Sequence, residues 1–557
     1  MKFPYLMITL IFTLAAVLIT RPAASCPSGG GGQPPAPSSF DLNGFQKCLL
    51  SHSGGHKPGF TLPSDPSFIS LLDSTIENTK GLLPNVPKPA AIITPYTETD
   101  AAKAVHCAST HGVSLRVRSG GHDYEDLSYT SFMGLPFAVL DLQNLRNVTV
   151  DVASQTAWVQ AGATVGELYY HAATESGGTL GFPAGICTTI GVAGNFLGGG
   201  YGMMMRAYGL AANNVLDARL VTADGNLLSR KSMGEDVFWA LRGGGGGSFG
   251  VVLAWKVQLV EVPPKVTVFS AIKILDNSGG SKGFDVGALY KWQKVAPVVN
   301  DTKLFMRVIM QPAGPTSVVT IYSAMYLGNK ADAARLMRNK FRELGLRDAD
   351  YTEMSWIESV LAIGGFNVST TKPDYLLKRI GAWQLSFKAK SDMVLAPIPK
   401  PGLRKLCQAV TQQSMSMVIL TPYGGKMKEI ADDATPFPHC DALFMAQYVG
   451  QWATEGQTLQ MEAQNKKWVS GVYDMMAPYV SSNPRRAYVN YRDLDLGKDD
   501  NSCPNCSCPN IWGYKYFNNN FMRLVDVKTK VDPKNFFFHE QSIPTHSTLN
   551  NCINLVS

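Results

Sequence analysis

At 557 residues, with 45% hydrophobic and 17% charged side chains, the chain has an ordinary globular composition and room for two or more packed domains. Its formal charge of +7 is spread along the chain rather than gathered into a basic patch, which excludes the usual footprint of a nucleic-acid-binding protein.

Residues 1–25 read as an export leader: Lys2, an apolar stretch from Pro4 to Ile19, then the small residues Ala23, Ala24 and Ser25. The stretch is short for a bilayer span, and no later run is apolar and long enough for one. The expectation is a secretory protein, extracellular or in the cell wall, a vacuole or an ER-derived vesicle, with no membrane contact after cleavage. The 10 cysteines suit that compartment. Cys48 and Cys107 flank the start of the first domain and are the expected disulfide. Cys503, Cys506 and Cys508 lie too close together, without histidines or a second cysteine pair, to read as zinc ligands; local disulfides are expected. The pairing of these three and of Cys407, Cys440 and Cys552 stays open. Asn147, Asn300, Asn367 and Asn505 head glycosylation sequons and are expected at the surface.

Beyond a Gly- and Pro-rich leader (Gly29 to Pro37), residues 85–264 show an α+β pattern. Short strands such as Ala138–Leu142, Ala157–Gln160 and Val251–Trp255 alternate with glycine turns. Pro263-Pro264 then punctuates the chain. Val266–Ile274, Leu304–Gln311 and Ser317–Tyr326 read as an antiparallel sheet, and Lys330–Leu344 as a covering amphipathic helix stopped by Gly345. Trp512–Val531 reads as mostly helical, closing at Asp532-Pro533. The implied units are 26–84, a leader and the start of the first domain; 85–264; 265–484, a substrate layer; and 485–545, a returning tail.

Two glycine-rich loops carry chemistry. Arg118-Ser119-Gly120-Gly121-His122 presents an imidazole, and Gly185-Ile186-Cys187 through Gly202 presents a thiol. Glycines let backbone N–H groups approach a phosphate closely. Neither Gly198–Gly200 nor Gly243–Gly247 has the spacing of a dinucleotide fingerprint, and no Gly-Lys-Ser/Thr loop is present. Taken singly, His122 reads as a hydrogen-bonding loop residue and Cys187 as a small buried hydrophobe.

Taken with Gly209–Val215, Phe238–Gly245, Tyr488–Gly497, Val531–Phe537 and His539–Pro544, these strings resemble the berberine bridge enzyme-like family, plant flavoproteins of the vanillyl-alcohol oxidase fold. The resemblance runs from about Phe40 to Pro544. It implies a two-part FAD-binding domain of PCMH type, α+β, with an antiparallel-sheet substrate domain covered by helices, and a monomer. It also implies FAD attached twice, at His122 through the 8α carbon and at Cys187 through C6. Backbone N–H groups of Arg118, Ser119, Gly120 and Gly121 would face the pyrophosphate; Ser128, Ile190, Gly191, Gly194, Asn195, Gly199 and Val251 would complete the cofactor site, with no metal.

What the resemblance implies for chemistry is hydride transfer from a small-molecule substrate to flavin N5, with a base taking a proton. Tyr491 matches a tyrosine base of several members, and Tyr124 and Tyr201 match pocket hydroxyls of alcohol-oxidising members. Gln447 stands where alkaloid-cyclising members carry a catalytic glutamate, and Met445 where alcohol-oxidising ones carry a lysine. A tyrosine base must ionise against a reference pKa near 10, so it needs a positive neighbour or a strong hydride acceptor. Ile190 and Asn195 depart from the usual valine and histidine of oxidases, which implies weak oxygen reactivity. The expected activity is oxidation of a phenolic or prenylated specialised metabolite. The alternatives are a carbohydrate dehydrogenase, a non-redox cyclase of Diels–Alder type that keeps FAD as a floor, and a non-catalytic wall or allergen-like protein.

Overall fold

The computed structural model describes residues 40–51, 57–278, 283–379, 385–454, 458–498 and 510–549. The export leader, Cys503, Cys506, Cys508, Cys552 and the Asn505 sequon lie outside the described residues.

A four-stranded and a five-stranded sheet come from the first half of the chain, beside a two-stranded pairing of Leu180–Gly181 with Val260–Glu261. In the first, the strands lie in the order Gly59–Thr61, Ala91–Thr94, Phe137–Asp141, Ser114–Arg118. The last three of these are parallel and mostly buried, which explains the continuous apolar runs of Ala91–Thr94 and of residues 137–140. Helix Glu98–Thr110 covers it, started by a reciprocal Thr97–Asp100 capping box. Cys107 on that helix is joined to Cys48 on Leu42–Leu50, so the disulfide pins two helices together. The second sheet is antiparallel, in the order Val148–Asp151, Thr156–Gln160, Val251–Gln258, Val215–Val221, Leu227–Leu228.

The third sheet has seven antiparallel strands: Tyr351–Met354, Val266–Asp276, Ser317–Tyr326, Leu304–Pro312, Ser416–Pro422, Phe444–Trp452, Ser386–Val394. Burial alternates along Leu304–Pro312 and Ser317–Tyr326, so one face packs into the core and the other looks outward. The helix Leu459–Met476 packs on the sheet's far end.

Secondary structure departs from the sequence reading at Lys330–Leu344. The α-helix ends at Lys340, and Phe341 leaves helical geometry (φ −136°, ψ 41°) before a 3₁₀ turn Arg342–Leu344. Phe341 and Leu344 are both buried all the same, and Gly345 (φ +66°) stops the segment. Trp512–Val531 is likewise broken, by the turn Asn518–Asn520 between Asn510–Phe517 and Phe521–Val531. Of the described sequons, Asn147 and Asn300 are exposed and Asn367 is half-buried.

Candidate active site

Strand Ser114–Arg118 delivers the His122 loop. Arg118 is fully buried and its guanidinium is committed: Nε donates to Asp141 at 2.9 Å, and other nitrogens donate to the Leu71 and Leu72 carbonyls. Arg118 therefore anchors the loop by its side chain. Ser119 Oγ donates to the Ala161 carbonyl. A Cβ on Gly120 would sit 2.2 Å from the Gly191 nitrogen, so the imidazole loop and the thiol loop touch backbone to backbone. Gly121, at φ +72°, presses on Thr75, where a Cβ would meet the carbonyl oxygen at 2.0 Å.

His122 Nε2 lies 2.9 Å from the Thr189 hydroxyl and 3.7 Å from a Glu77 carboxylate oxygen. Burial, with Arg379 beyond, holds the imidazole down at about 4, so it is neutral. Cys187 is accessible at the surface although protein crowds its thiol. Burial and then Glu77 push its thiol up to about 11, while Arg307 opposes them. Burial alone raises Glu77 to about 7.

The four residues expected to do chemistry meet in one cluster. Gln447 Nε2 donates to the Tyr124 hydroxyl at 2.9 Å, and the Tyr124 ring stacks on Tyr491 with centroids 5.0 Å apart and planes 16° apart. The Tyr201 and Tyr491 hydroxyls are in contact. Burial, then the neighbouring phenols, pushes Tyr124 and Tyr491 well above the usual phenol range. Tyr201 is also raised by burial, but Tyr491 and Arg307 pull the other way.

Arg307 was invisible as a site residue in the sequence. Strand register puts it opposite Ser323, while Val308 and Ile309 pair with Leu420 and Ile419 on the strand that carries Thr421. Residues paired across antiparallel strands share a face. Ile309, Ile321 and Ile419 therefore form an apolar row beside Arg307, continued by Gln447, which pairs with Ile419, and by Ile272, 58% exposed, which pairs with Ile321. Among the described residues Arg307 forms no ion pair, and its Nε is buried without a partner.

A second set missed by sequence reading is a lattice of buried charges. Asp123 pairs with Arg492 at 3.1 Å; Lys388 pairs with Glu125 and, at 2.7 Å, with Asp493, which Lys390 also meets at 2.7 Å. Lys80 reaches Glu125 at 3.0 Å. The lattice brackets Tyr124 and Tyr491 and holds them in their stack. The available signal was Lys388 and Lys390 at alternate positions of one strand, Ser386–Val394, so that both face the same side.

Other predicted residues stand further out. Val251 is buried in the second sheet opposite Val221, and Gly199 (φ +109°) turns beneath Leu210 and Phe437. Ile190 packs on the main core, and Cys407 and Cys440 are buried free thiols. A cavity of about 30 Å³, room for a single water, lies behind Gly185 and Ile186 against Trp356; none of the four clustered residues lines it. Among the described residues no group of acidic, His or Cys side chains is arranged to hold a metal.

The double loop fits a flavin nucleotide. Gly194 is exposed and a Cβ on it would meet open space, while Ser128 Oγ and Asn195 Oδ1 are buried hydrogen-bonding atoms without partners. Residues 89–230 match a family described as an FAD binding domain, and residues 487–544 one described as berberine and berberine like. Fold and loops thus define an FAD-dependent oxidoreductase. The monolignol oxidoreductase AtBBE-like 13 of Arabidopsis thaliana is 45% identical over 518 residues, covering 90% of this chain and 93% of that protein. Berberine bridge enzyme from Eschscholzia californica superposes with a TM-score of 0.84 at 38% identity, covering 90% of this chain and 99% of that one. Phl p 4.0202, a glucose dehydrogenase, does so with a TM-score of 0.83 at 43% identity and the same coverage. The chain belongs to the berberine bridge enzyme-like family.

Proposed function

We propose that the chain is a secreted oxidoreductase whose FAD is attached at both His122 and Cys187, and that it oxidises a phenolic or prenylated plant metabolite while reacting weakly with oxygen. When bound, the flavin accepts a hydride at N5. Tyr491 takes the substrate proton, and Tyr201 shares it through the contact between the two hydroxyls. Arg307 supplies the positive neighbour that Met445 does not, because its charge favours an ionised Tyr201. Gln447 holds the Tyr124 hydroxyl, and Tyr124 fixes the plane of Tyr491 by stacking.

The observation that carries the substrate class is the row Ile272, Ile321, Ile309 and Ile419, which passes Arg307 and ends at Gln447 and the phenols. A flat apolar floor with a polar reactive end suits an aromatic alcohol and offers few partners to a sugar's many hydroxyls. The relative named as a monolignol oxidoreductase supports this reading. A carbohydrate dehydrogenase is the second reading, favoured by the likeness to a glucose dehydrogenase.

Anaerobic addition of hydroxycinnamyl alcohols, prenylated phenols and aldoses, followed by flavin absorbance, separates them. Bleaching by the aromatic compounds is expected, and bleaching by aldoses alone selects the second reading. Product without bleaching selects a cyclase. Tyr491→Phe is expected to slow bleaching about 10²-fold with flavin content unchanged, and Arg307→Leu to shift the pH dependence of bleaching upward.

A further inference from the structure

Glu77 is used by nothing described so far. Its carboxylate is 3.7 Å from Nε2 of His122, one of the two residues proposed to hold the flavin, and its charge acts on the thiol of the other, Cys187. Its position is fixed by backbone, since Glu77 N–H donates to the Gly121 carbonyl and Gly121 is pressed against Thr75. His122 is the basic group that the described ion pairs bring to it. With Nε2 facing Thr189 and Glu77, Nδ1 of His122 is the nitrogen free to bond a carbon.

We propose that Glu77 is the general base for self-attachment of the flavin, serving both His122 and Cys187. This rests on the double attachment proposed above. A neutral imidazole becomes a stronger nucleophile at Nδ1 as Nε2 gives up its proton, and a thiol attacks only as thiolate. Unaided, the thiol is in the wrong state for this, because burial keeps it protonated. Burial lifts the Glu77 carboxyl beside His122 to about 7, which makes it a stronger base than an ordinary carboxylate.

The steps balance as follows. At His122, the N–C bond forms as the flavin 8α carbon loses one hydrogen and the imidazole loses its N–H proton to Glu77. At Cys187, the S–C bond forms as C6 loses one hydrogen and the thiol loses its proton to Glu77. In each case the hydrogen leaves carbon as a proton that the ring takes up, and two electrons stay on the ring, which is thereby reduced; that proton and the one on Glu77 go with the electrons. Dioxygen then takes them, giving hydrogen peroxide and restoring the oxidised ring for the second attachment. Weak oxygen reactivity suffices, because each bond is made once.

The test uses the full chain secreted under riboflavin limitation and then given FAD. The readout is the fraction of flavin that stays with protein after denaturing precipitation, with peptide masses identifying the His122 and Cys187 adducts. In wild type that fraction rises to completion. Glu77→Gln is expected to bind FAD but to attach it about 10²-fold more slowly at both residues. Glu77→Ala is expected to be equally slow and to be restored by added formate, a rescue that a packing role would not give. Attachment in Glu77→Gln at the wild-type rate overturns the proposal, as does failure of formate in Glu77→Ala. Should Glu77→Gln not fold, the formate dependence of Glu77→Ala decides alone. If wild type releases all its flavin on denaturation, the attachment reading itself fails and this one falls with it. His122→Ala and Cys187→Ala, each keeping a single adduct, tell the two bonds apart.

Discussion

Ile190 shows how one methylene bears on reactivity. It is half-buried beside the thiol loop, with Cδ1 3.4 Å from where a Cβ on Gly185 would stand. In packing this dense, a methylene fills most of the space a diatomic gas needs. Ile190→Val is therefore expected to speed reoxidation of photoreduced enzyme by air, measured by stopped-flow absorbance; an unchanged rate would remove Ile190 as the barrier. At this scale the sequence was most legible where identity and chemistry coincide. A histidine and a cysteine in glycine loops announce themselves. Glu77 and Arg307 do not, since a lone carboxylate or guanidinium means nothing until a turn or a strand register aims it.

The strand Ser386–Val394 carries Lys388 and Lys390 into the buried lattice around the stacked tyrosines. Removing one partner of a buried pair leaves an uncompensated charge, so Lys388→Met is expected to cost about 3 kcal/mol in urea unfolding. It should also loosen the Tyr124–Tyr491 stack and slow flavin reduction. The lattice has a pH signature. Burial alone would raise Glu125, but Lys80 and Lys388 outweigh it and hold it at about 2, against 4.5 for a free side chain. Its contribution is complete above pH 4.5 and is lost as pH falls from there towards 2. Melting temperatures of Lys388→Met should fall less steeply than those of wild type across that window. The long strands were legible from length and alternation, and Ser317–Tyr326 is met residue for residue. The helix expected over Lys330–Leu344 overshot because periodicity continues through Phe341, whose backbone breaks for packing reasons no pattern records.

Across the whole molecule, the chain's last part returns to its first. Arg116, on the strand that leads to His122, is buried and bonds Glu540 at 3.1 Å and the Phe538 carbonyl at 2.9 Å. Lys528 donates to the Ser248 carbonyl at 2.7 Å, and Tyr488 receives the Gly200 N–H. Glu540→Ala would strand the Arg116 charge, and the expected outcome is a loss of about 3–5 kcal/mol with reduced flavin content. Thermal melting and flavin absorbance per protein check it. No composition or spacing shows this closure, because it depends on contacts more than 400 positions apart, such as the 424 between Arg116 and Glu540.

The cluster of Tyr124, Gln447 and Tyr491 therefore has a consequence for synthesis. A ribosome releases its product from the N-terminus forward, and the earlier sheets can fold while the rest is still being made. The His122 loop and the Cys187 loop exist long before Tyr491 and Glu540 emerge, yet the cleft between them is walled only once the tail has docked. Prematurely terminated chains would thus carry both glycine loops and lack Tyr491 and Glu540, so the complete site is a stamp of finished translation.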